Sequence, residues 1–293
     1  MYELIQAGPR SWYIECPAKI GLITAGDNGV YLIDAGGDKD AGRRIRKLLD
    51  EKGWICRGIL TTHSNADHIG GCKYLQQQYS CPVFAPGIES AFTKWPVLEP
   101  SFLYGGYPFA ELRHKFLMAQ PSDASELTDP HFPREVEPIP LPGHFLDMVG
   151  YRAPDGVVFL ADCLSSEATL DKYQVSFIYD VAAYLETLYM VSRLEAPLFV
   201  PAHAAATADI TPLAEVNRQK VLEIAALVEE LCRKALSFEH ILQKLFTRLE
   251  LTMDFQQYVL VGSTLRSYLS WLKDSGRLSA RFEDGLLLWQ SLG

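Results

Sequence analysis

The sequence predicts an α/β fold, helices packed on β-sheets, followed by a smaller helical domain, and three observations carry that expectation. Short β-rich runs separated by turn signals fill the first sixty residues and lead into an alternation of strands with helical spacings. Polar loops bearing histidine and aspartate follow directly on several of the apolar runs. From about residue 211 the pattern changes to three helical spacings in succession. A chain of 293 residues exceeds most single cores, so one large domain and a smaller one is the natural division. Its 48% hydrophobic and 22% charged residues are ordinary for a globular protein and argue against disorder.

Taken in order, 12–16 and 20–24 read as the first strands, and Asp27-Asn28-Gly29 is a hairpin-type turn before a strand over 30–34. Helical spacing runs over 40–52 with Ile45, Leu48 and Leu49 on one face, and Gly53 ends it as a C-cap. Ile59-Leu60 delivers a strand into Thr61-Thr62-His63, Gly70-Gly71 opens a helix through Tyr79, and 82–85 is another short strand. Residues 87–138 are rich in Pro, Gly and aromatics, include Leu103-Tyr104-Gly105-Gly106-Tyr107, and break the rhythm as a functional loop or lid does. Strands resume over 136–141, 157–160 and 198–200, with a helix over 181–194. Helices follow over 214–234, 238–249 and 255–273, then a hairpin from 277–281 and 286–290 about Glu283-Asp284-Gly285. Three helices and then a β-hairpin is the order of a winged-helix-like module, so the expected domains are 1–212 and 213–293.

Charge and cysteine usage narrow the partners. The formal net charge of −9 carries no nucleic-acid footprint, and 214–293 holds ten Lys/Arg against ten Asp/Glu, so nucleic acid is not expected as a partner. The tail is expected to pack against the main domain or to serve as a substrate lid. No apolar run is long enough to span a bilayer, and Met1-Tyr2-Glu3-Leu4-Ile5 lacks the basic start of a secretory signal. Six scattered cysteines without a C-x-x-C pair read as reduced thiols, which predicts a cytoplasmic protein.

The chemistry concentrates on four of seven histidines. His63-Ser64-Asn65-Ala66-Asp67-His68 places two imidazoles and a carboxylate in a loop after a strand, an arrangement that can wrap a cation such as zinc, iron or manganese. His144, Asp162 and His203 each follow an apolar strand, and strand ends converge on one edge of a sheet. Thr61 or Thr62 could fix ligand orientation. Cys163 reads as a small buried side chain or a thiolate ligand, His114 and His131 as surface residues. Tyr104, Tyr107 and Lys115 either shape a substrate pocket or pack the insertion.

Together these elements resemble the metallo-β-lactamase superfamily, whose signature is H-x-H-x-D-H followed by a distant His, an Asp and a final His. The resemblance covers roughly the first 210 residues and implies an αββα sandwich with metals at one edge of its two sheets. It implies a first site of His63, Asn65 and His144, a second of Asp67, His68 and His203, and Asp162 bridging them. Asn65 departs from the pattern, and its neutral amide oxygen is a weaker zinc ligand than imidazole. One tightly bound ion is therefore expected, with the other weak, absent or harder in type. The implied cofactor is Zn2+, one or two ions, with Fe or Mn as alternatives. A bound Zn2+ lowers the pKa of its water to roughly 7. The expected activity is hydrolysis of a small ester, thioester, lactone or phosphoester by metal-bound hydroxide, with glyoxalase-II-like cleavage as the type case. Asp67 and Asp162 serve as the catalytic carboxylates. Alternatives are an iron-dependent oxidoreductase in the same pocket, a nucleic-acid-processing or binding protein, and a non-catalytic metal-binding relative. A small-molecule substrate is the expected partner, and a homodimer stays open.

Overall fold

Period-two alternation along the central strands sorts the apolar residues onto two faces, and that sorting builds the layers. The computed structural model describes residues 2–293; Met1, where the N-terminal reading begins, lies outside the described residues. A first sheet holds β1 (Glu3–Gln6), β2 (Ser11–Glu15), β3 (Ile20–Thr24), β4 (Gly29–Ile33), β5 (Ile55–Leu60), β6 (Val83–Ala85) and β7 (Ala124–Glu126), adjacent in chain order. Its first four strands form an antiparallel meander, and β4 to β7 run parallel. A second sheet orders β11 (Phe199–His203), β10 (Val158–Ser165), β9 (Val149–Arg152) and β8 (Glu137–Pro140), with β10 and β11 parallel.

Ile23, Ile33, Leu60 and Phe84 of the first sheet meet Val149, Tyr151, Phe159 and Val200 of the second in one buried layer. The intervening residues Leu22, Val30, Leu32 and Ile59 point outward, onto α1 (Lys39–Lys52), α2 (Ala66–Ile69) and α3 (Cys72–Tyr79). α1 starts where the Asp38 carboxylate accepts the Ala41 N–H at 2.9 Å, and stops at Gly53, whose φ of 67° favours glycine. Ile45 and Leu49 are its buried face; each such side chain contributes about 1.5–3 kcal/mol on burial.

On the far side of the second sheet, Val158, Leu160 and Cys163 share a continuous core with α7 (Val181–Val191) and α8 (Thr211–Leu231), and with α9 (Phe238–Arg248) and α10 (Phe255–Asp274). The helix α6 (Glu167–Tyr173) precedes them. A small antiparallel sheet of β12 (Leu236–Ser237), β14 (Leu286–Ser291) and β13 (Leu278–Glu283) closes the chain, so the tail reads α–β–α–α–β–β. The layers are α–β–β–α as expected, and the tail packs into the outer helical layer through Tyr268, Leu269 and Leu272.

Differences from the sequence reading fall on short elements. The insertion is not a bare loop: it carries α4 (Glu89–Lys94), α5 (Leu98–Tyr104), a 3-10 turn at Ala110–Leu112 and strand β7. The loop that carries His63 turns helical at Ala66, ahead of Gly70-Gly71. β1, β9 and α6 are four to seven residues long, too short to establish a period. Among the described residues no helix is long and apolar enough to cross a membrane.

Candidate metal centre

Strand direction brings the polar residues together. Because β4 and β5 run parallel, Asp34 and His63 leave the first sheet at the same edge; because β10 and β11 run parallel, Asp162 and His203 meet at the facing edge of the second. Two local features aim the side chains. Asp34 adopts a left-handed backbone, φ 65°, immediately after β4. Ala161 does the same inside β10, φ 50°, between two register shifts against β11, so a bulge turns Asp162 out of the strand's regular alternation. Left-handed φ at a residue with a Cβ costs on the order of 1–2 kcal/mol, and such strain collects at functional sites.

All seven residues singled out from the sequence lie at this edge. The ligand-capable atoms of Asp67, His68, Asp162 and His203 fall within 4.8 Å of one another, and so do those of His63, His144 and Asp162. Asp162 belongs to both groups. Its Oδ1 is 3.0 Å from His68 Nε2, and its Oδ2 is 3.1 Å from His203 Nε2 and 3.8 Å from His144 Nε2. Asp67 Oδ2 stands 3.8 Å from His68 Nε2 and 3.7 Å from His203 Nε2, with its side chain half exposed. Asn65 Oδ1 is 3.1 Å from His144 Nε2. Cys163 is buried and belongs to neither group.

Every ring has its other nitrogen tied down. His203 Nδ1 faces the Pro17 carbonyl and His144 Nδ1 the Phe177 carbonyl, each at 2.9 Å. Carbonyls only accept, so both Nδ1 atoms carry the proton. His68 Nδ1 donates to Asp34 Oδ2 at 2.7 Å. The Thr62 hydroxyl donates to the same Oδ2 at 2.8 Å and accepts from His63 Nδ1 at 2.9 Å. Thr62 is thus the orienting threonine; Thr61 instead donates to the Phe84 carbonyl. Four Nε2 lone pairs point inward as a consequence. Nε2 of His63, Nε2 of His68 and Oδ1 of Asp162 are buried without a hydrogen-bond partner. Imidazole nitrogens, carboxylates and one amide oxygen, orphaned and converging, are the donor set that Zn2+, Fe2+ or Mn2+ takes, so the residues fit the group.

The electrostatics divide the rings: burial favours the neutral form of His63 and His144, while the acids favour at His68 and His203 a proton that a cation would displace. Burial, with help from the neighbouring imidazole of His68, holds His63 well below the ordinary histidine pKa, and burial lowers His144. Asp162 raises His203 to about 9. Burial opposes charge on His68, yet Asp162, Asp34 and Asp67 together push it well up. Burial would raise Asp162, but His203 and His68 hold it well below the usual carboxylate range.

Beneath the loop lie two residues the sequence reading did not single out. Glu89 of α4 accepts from the Ser64 backbone N–H at 3.1 Å, from the Ser64 hydroxyl, and from the Asp147 N–H at 3.0 Å. Glu99 of α5 accepts from Asn65 Nδ2 at 2.9 Å. Both are buried, Glu89 fully and Glu99 at 4% exposure, and burial pushes Glu89 up to about 7 and Glu99 well above its ordinary value. Asp34 also went unremarked, although an acid at the end of a strand is a readable signal. Close packing then fixes the loop: a Cβ at Gly70 would fall on the Gly37 backbone, and one at Gly71 on the Ala35 carbonyl.

The other sequence candidates sit outside the cluster. His131 is exposed and bonded to Asp129, and His114 is paired with Phe116. Lys115 bridges from the insertion to Asp38 at 2.9 Å, Tyr107 takes a hydrogen bond from Arg113, and Tyr104 packs on Phe109. An aromatic wall of Phe102, Phe145, Phe177 and Tyr179 stands beside His144.

Likeness to known proteins agrees with this geometry. The family described as the metallo-beta-lactamase superfamily matches residues 13–203. The chain is 30% identical over 144 residues to a hydroxyacylglutathione hydrolase of Shewanella denitrificans, covering 48% of this chain and 45% of that protein. It is 32% identical over 123 residues to one of Nitrobacter hamburgensis, covering 42% and 39%. The chain thus spans less than half the length of these curated relatives. Among solved structures it resembles a beta-lactamase domain protein from Burkholderia ambifaria, with TM-score 0.74, 16% identity, and 99% and 93% of the two chains covered. A metallo-beta-lactamase family protein from Thermus thermophilus aligns with TM-score 0.71, 15% identity, and 99% and 98% covered. At these identities the two structures share the fold.

Proposed function

The chain belongs to the metallo-beta-lactamase superfamily, and from that premise we propose that it is a metal-dependent hydrolase of a small acyl substrate, a thioester first among the candidates. The observation that carries the reading is the set of four imidazoles whose Nδ1 atoms are all committed outward, leaving four Nε2 lone pairs aimed at two carboxylates. In this reading His63, Asn65 and His144 hold one ion, Asp67, His68 and His203 a second, and Asp162 lies between them. Zinc is the proposed ion, because imidazole and carboxylate donors suit it. When bound, it supplies a Lewis acid and lowers the pKa of water from about 16 to roughly 7.

The chain's own residues do the remaining work. Asp34 and Thr62 keep His68 and His63 in the tautomer that presents Nε2. Asp67, the half-exposed carboxylate of the cluster, would hold its ion through Oδ2 and orient incoming water. Asp162 keeps its charge between the two sets of ligands. The aromatic wall beside His144 excludes water from an apolar acyl group. A thioester suits this site, since a thiolate of pKa about 8.5 leaves near neutral pH without a dedicated proton donor. The relatives named hydroxyacylglutathione hydrolase act, by that name, on acylated glutathione, which supports the same class. We keep the division at 212/213 and the winged-helix-like character of the tail as part of this proposal.

Metal content of protein purified without chelator, with turnover of acyl-thioesters, lactones and phosphodiesters before and after chelation, tests it. Bound ion and chelator-sensitive thioester cleavage are expected. Protein that binds zinc yet cleaves none of the panel above the metal-only background would leave a non-catalytic relative. Oxygen uptake by an iron-loaded protein would favour oxidation.

A further inference from the structure

We propose that Glu99 is a positioning residue that makes Asn65 a metal ligand, so that the first site is built around an oxygen donor and is not a damaged three-histidine site. The inference rests on the metal-centre reading above and concerns how this chain completes it. The two ends of the Asn65 amide meet different partners. Nδ2 donates to Glu99 Oε1 at 2.9 Å, and Oδ1 faces His144 Nε2 at 3.1 Å. The His144 proton is already committed, on Nδ1, to the Phe177 carbonyl. Amide oxygen and ring nitrogen therefore present two lone pairs to each other. Facing acceptors at that distance repel, and a cation lying against both converts the repulsion into coordination.

Which end of the amide faces His144 decides the matter. Turned over, Asn65 would offer its NH2 to Nε2 as a plain hydrogen bond and withdraw its oxygen from the site. Glu99 Oε1 opposes that turn because it already accepts from Nδ2, and this bond, working against the effect of burial, favours the ionised form, which has nothing to give to Oδ1. Its placement is specific: Glu99 is 4% exposed on α5, and its Oε1 meets the NH2 end of the Asn65 amide. A carboxylate behind the NH2 polarises the amide and adds charge to Oδ1, as a carboxylate behind a ligating histidine raises that ligand's basicity. The insertion that separates β6 from β7 thus supplies the group that turns a weak neutral donor towards the ion.

Titration of metal-free protein with Co2+, read by its visible absorption and by competition with a chromogenic chelator, tests this without recourse to activity. Four proteins are compared: the native chain, Glu99→Gln, Asn65→His, and the double variant. A glutamine can give either a carbonyl or an NH2 to the amide and so releases its orientation. Two ions are expected in the native chain. Glu99→Gln should weaken the first by about 10–100-fold and leave the second unchanged. With Asn65→His already present, Glu99→Gln should alter the first site by less than about threefold, since nothing remains for it to orient. Equal affinities in the native and Glu99→Gln proteins overturn the proposal. The same loss in the Asn65→His background also overturns it, by showing that Glu99 acts on the fold. One ion in the native chain rising to two with Asn65→His shows that Asn65 is no ligand, and leaves the metal-centre reading intact. No bound Co2+ in the native chain overturns both.

Discussion

Asp34 and His68 lie 2.7 Å apart, carboxylate Oδ2 against ring Nδ1, both closed off from solvent, and this contact selects the ring nitrogen that faces the site. The same carboxylate takes the Thr62 backbone N–H on Oδ1 at 2.7 Å and the Thr62 hydroxyl on Oδ2. One buried acid thereby governs the tautomers of His68 and His63.

Asp34→Asn is accordingly the sharpest single test of that arrangement. The amide oxygen must still serve the Thr62 N–H, which leaves an NH2 against His68 Nδ1 and forces the ring proton to Nε2. Metal affinity at the site holding His68 should fall by about 10–100-fold, measured by chelator competition. Unchanged affinity would sink the tautomer argument.

Glu89 gives the chain a pH dependence of definite sign. Its carboxyl is raised from 4.5 to about 7, by burial against three donors, so the folded state binds this proton more tightly than the unfolded one. The stability it contributes is full below about pH 4.5 and is lost as pH rises through about 7. At about 1.4 kcal/mol per pH unit, that is about 3 kcal/mol across the window. Denaturant unfolding at several pH values should show the native chain losing this amount relative to Glu89→Gln. Parallel stability curves for the two proteins would refute it, whatever their constant offset.

Much of the candidate centre is legible in the sequence because its residues sit where strands end. His63, Asp162 and His203 follow apolar runs that any pleated pattern reveals, and their convergence follows from parallel pairing. Layering was legible for the same reason, since Val30, Leu32 and Ile59 alternate with Ile33 and Leu60 along β4 and β5. Glu89 and Glu99 were not legible. Each stands in a short helix of a segment with no sustained period, and a lone glutamate there reads as a solvated face. Only tertiary packing buries them under a loop 25 to 34 residues upstream, and no local spacing encodes that. The left-handed turn at Ala161 was equally hidden, because alanine carries no signal for positive φ.

Gly143→Ala should separate the two halves of the centre. Gly143 has φ 119°, and a Cβ there would fall on the backbone N and Cα of Tyr184 in α7. Its carbonyl also accepts from the Tyr179 and Asp180 N–H groups. Backbone strain and collision together should cost about 3 kcal/mol or more in chemical denaturation. The neighbouring His144 would shift with it, so the ion held with His63 should be lost before the one held with His203. A variant of native stability with both ions retained would contradict this geometry.

The tail reaches the centre through the loop that follows Phe177 and through the end of β10. Phe177, whose carbonyl orients His144, is followed by Ile178 and Tyr179, and α10 grips both: the Ile178 N–H donates to Thr264 Oγ1 at 3.2 Å, and Ser267 Oγ donates to the Tyr179 carbonyl at 2.7 Å. Thr264 is fully buried, so Thr264→Val keeps its shape and removes only the acceptor, stranding the Ile178 N–H at a cost of about 1–3 kcal/mol. α8 acts likewise, Asn217 taking the Ser165 N–H and returning its amide to the Ser165 carbonyl, three residues beyond Asp162. If the tail serves as a brace, Thr264→Val lowers metal affinity at His144 and leaves that at His203 unchanged, whereas general destabilisation weakens both in proportion. Removing 213–293 altogether should expose the Leu160 and Leu188 core and give a fragment that binds apolar dye and precipitates. A soluble, metal-loaded fragment 1–212 would show instead that the tail is dispensable to the centre.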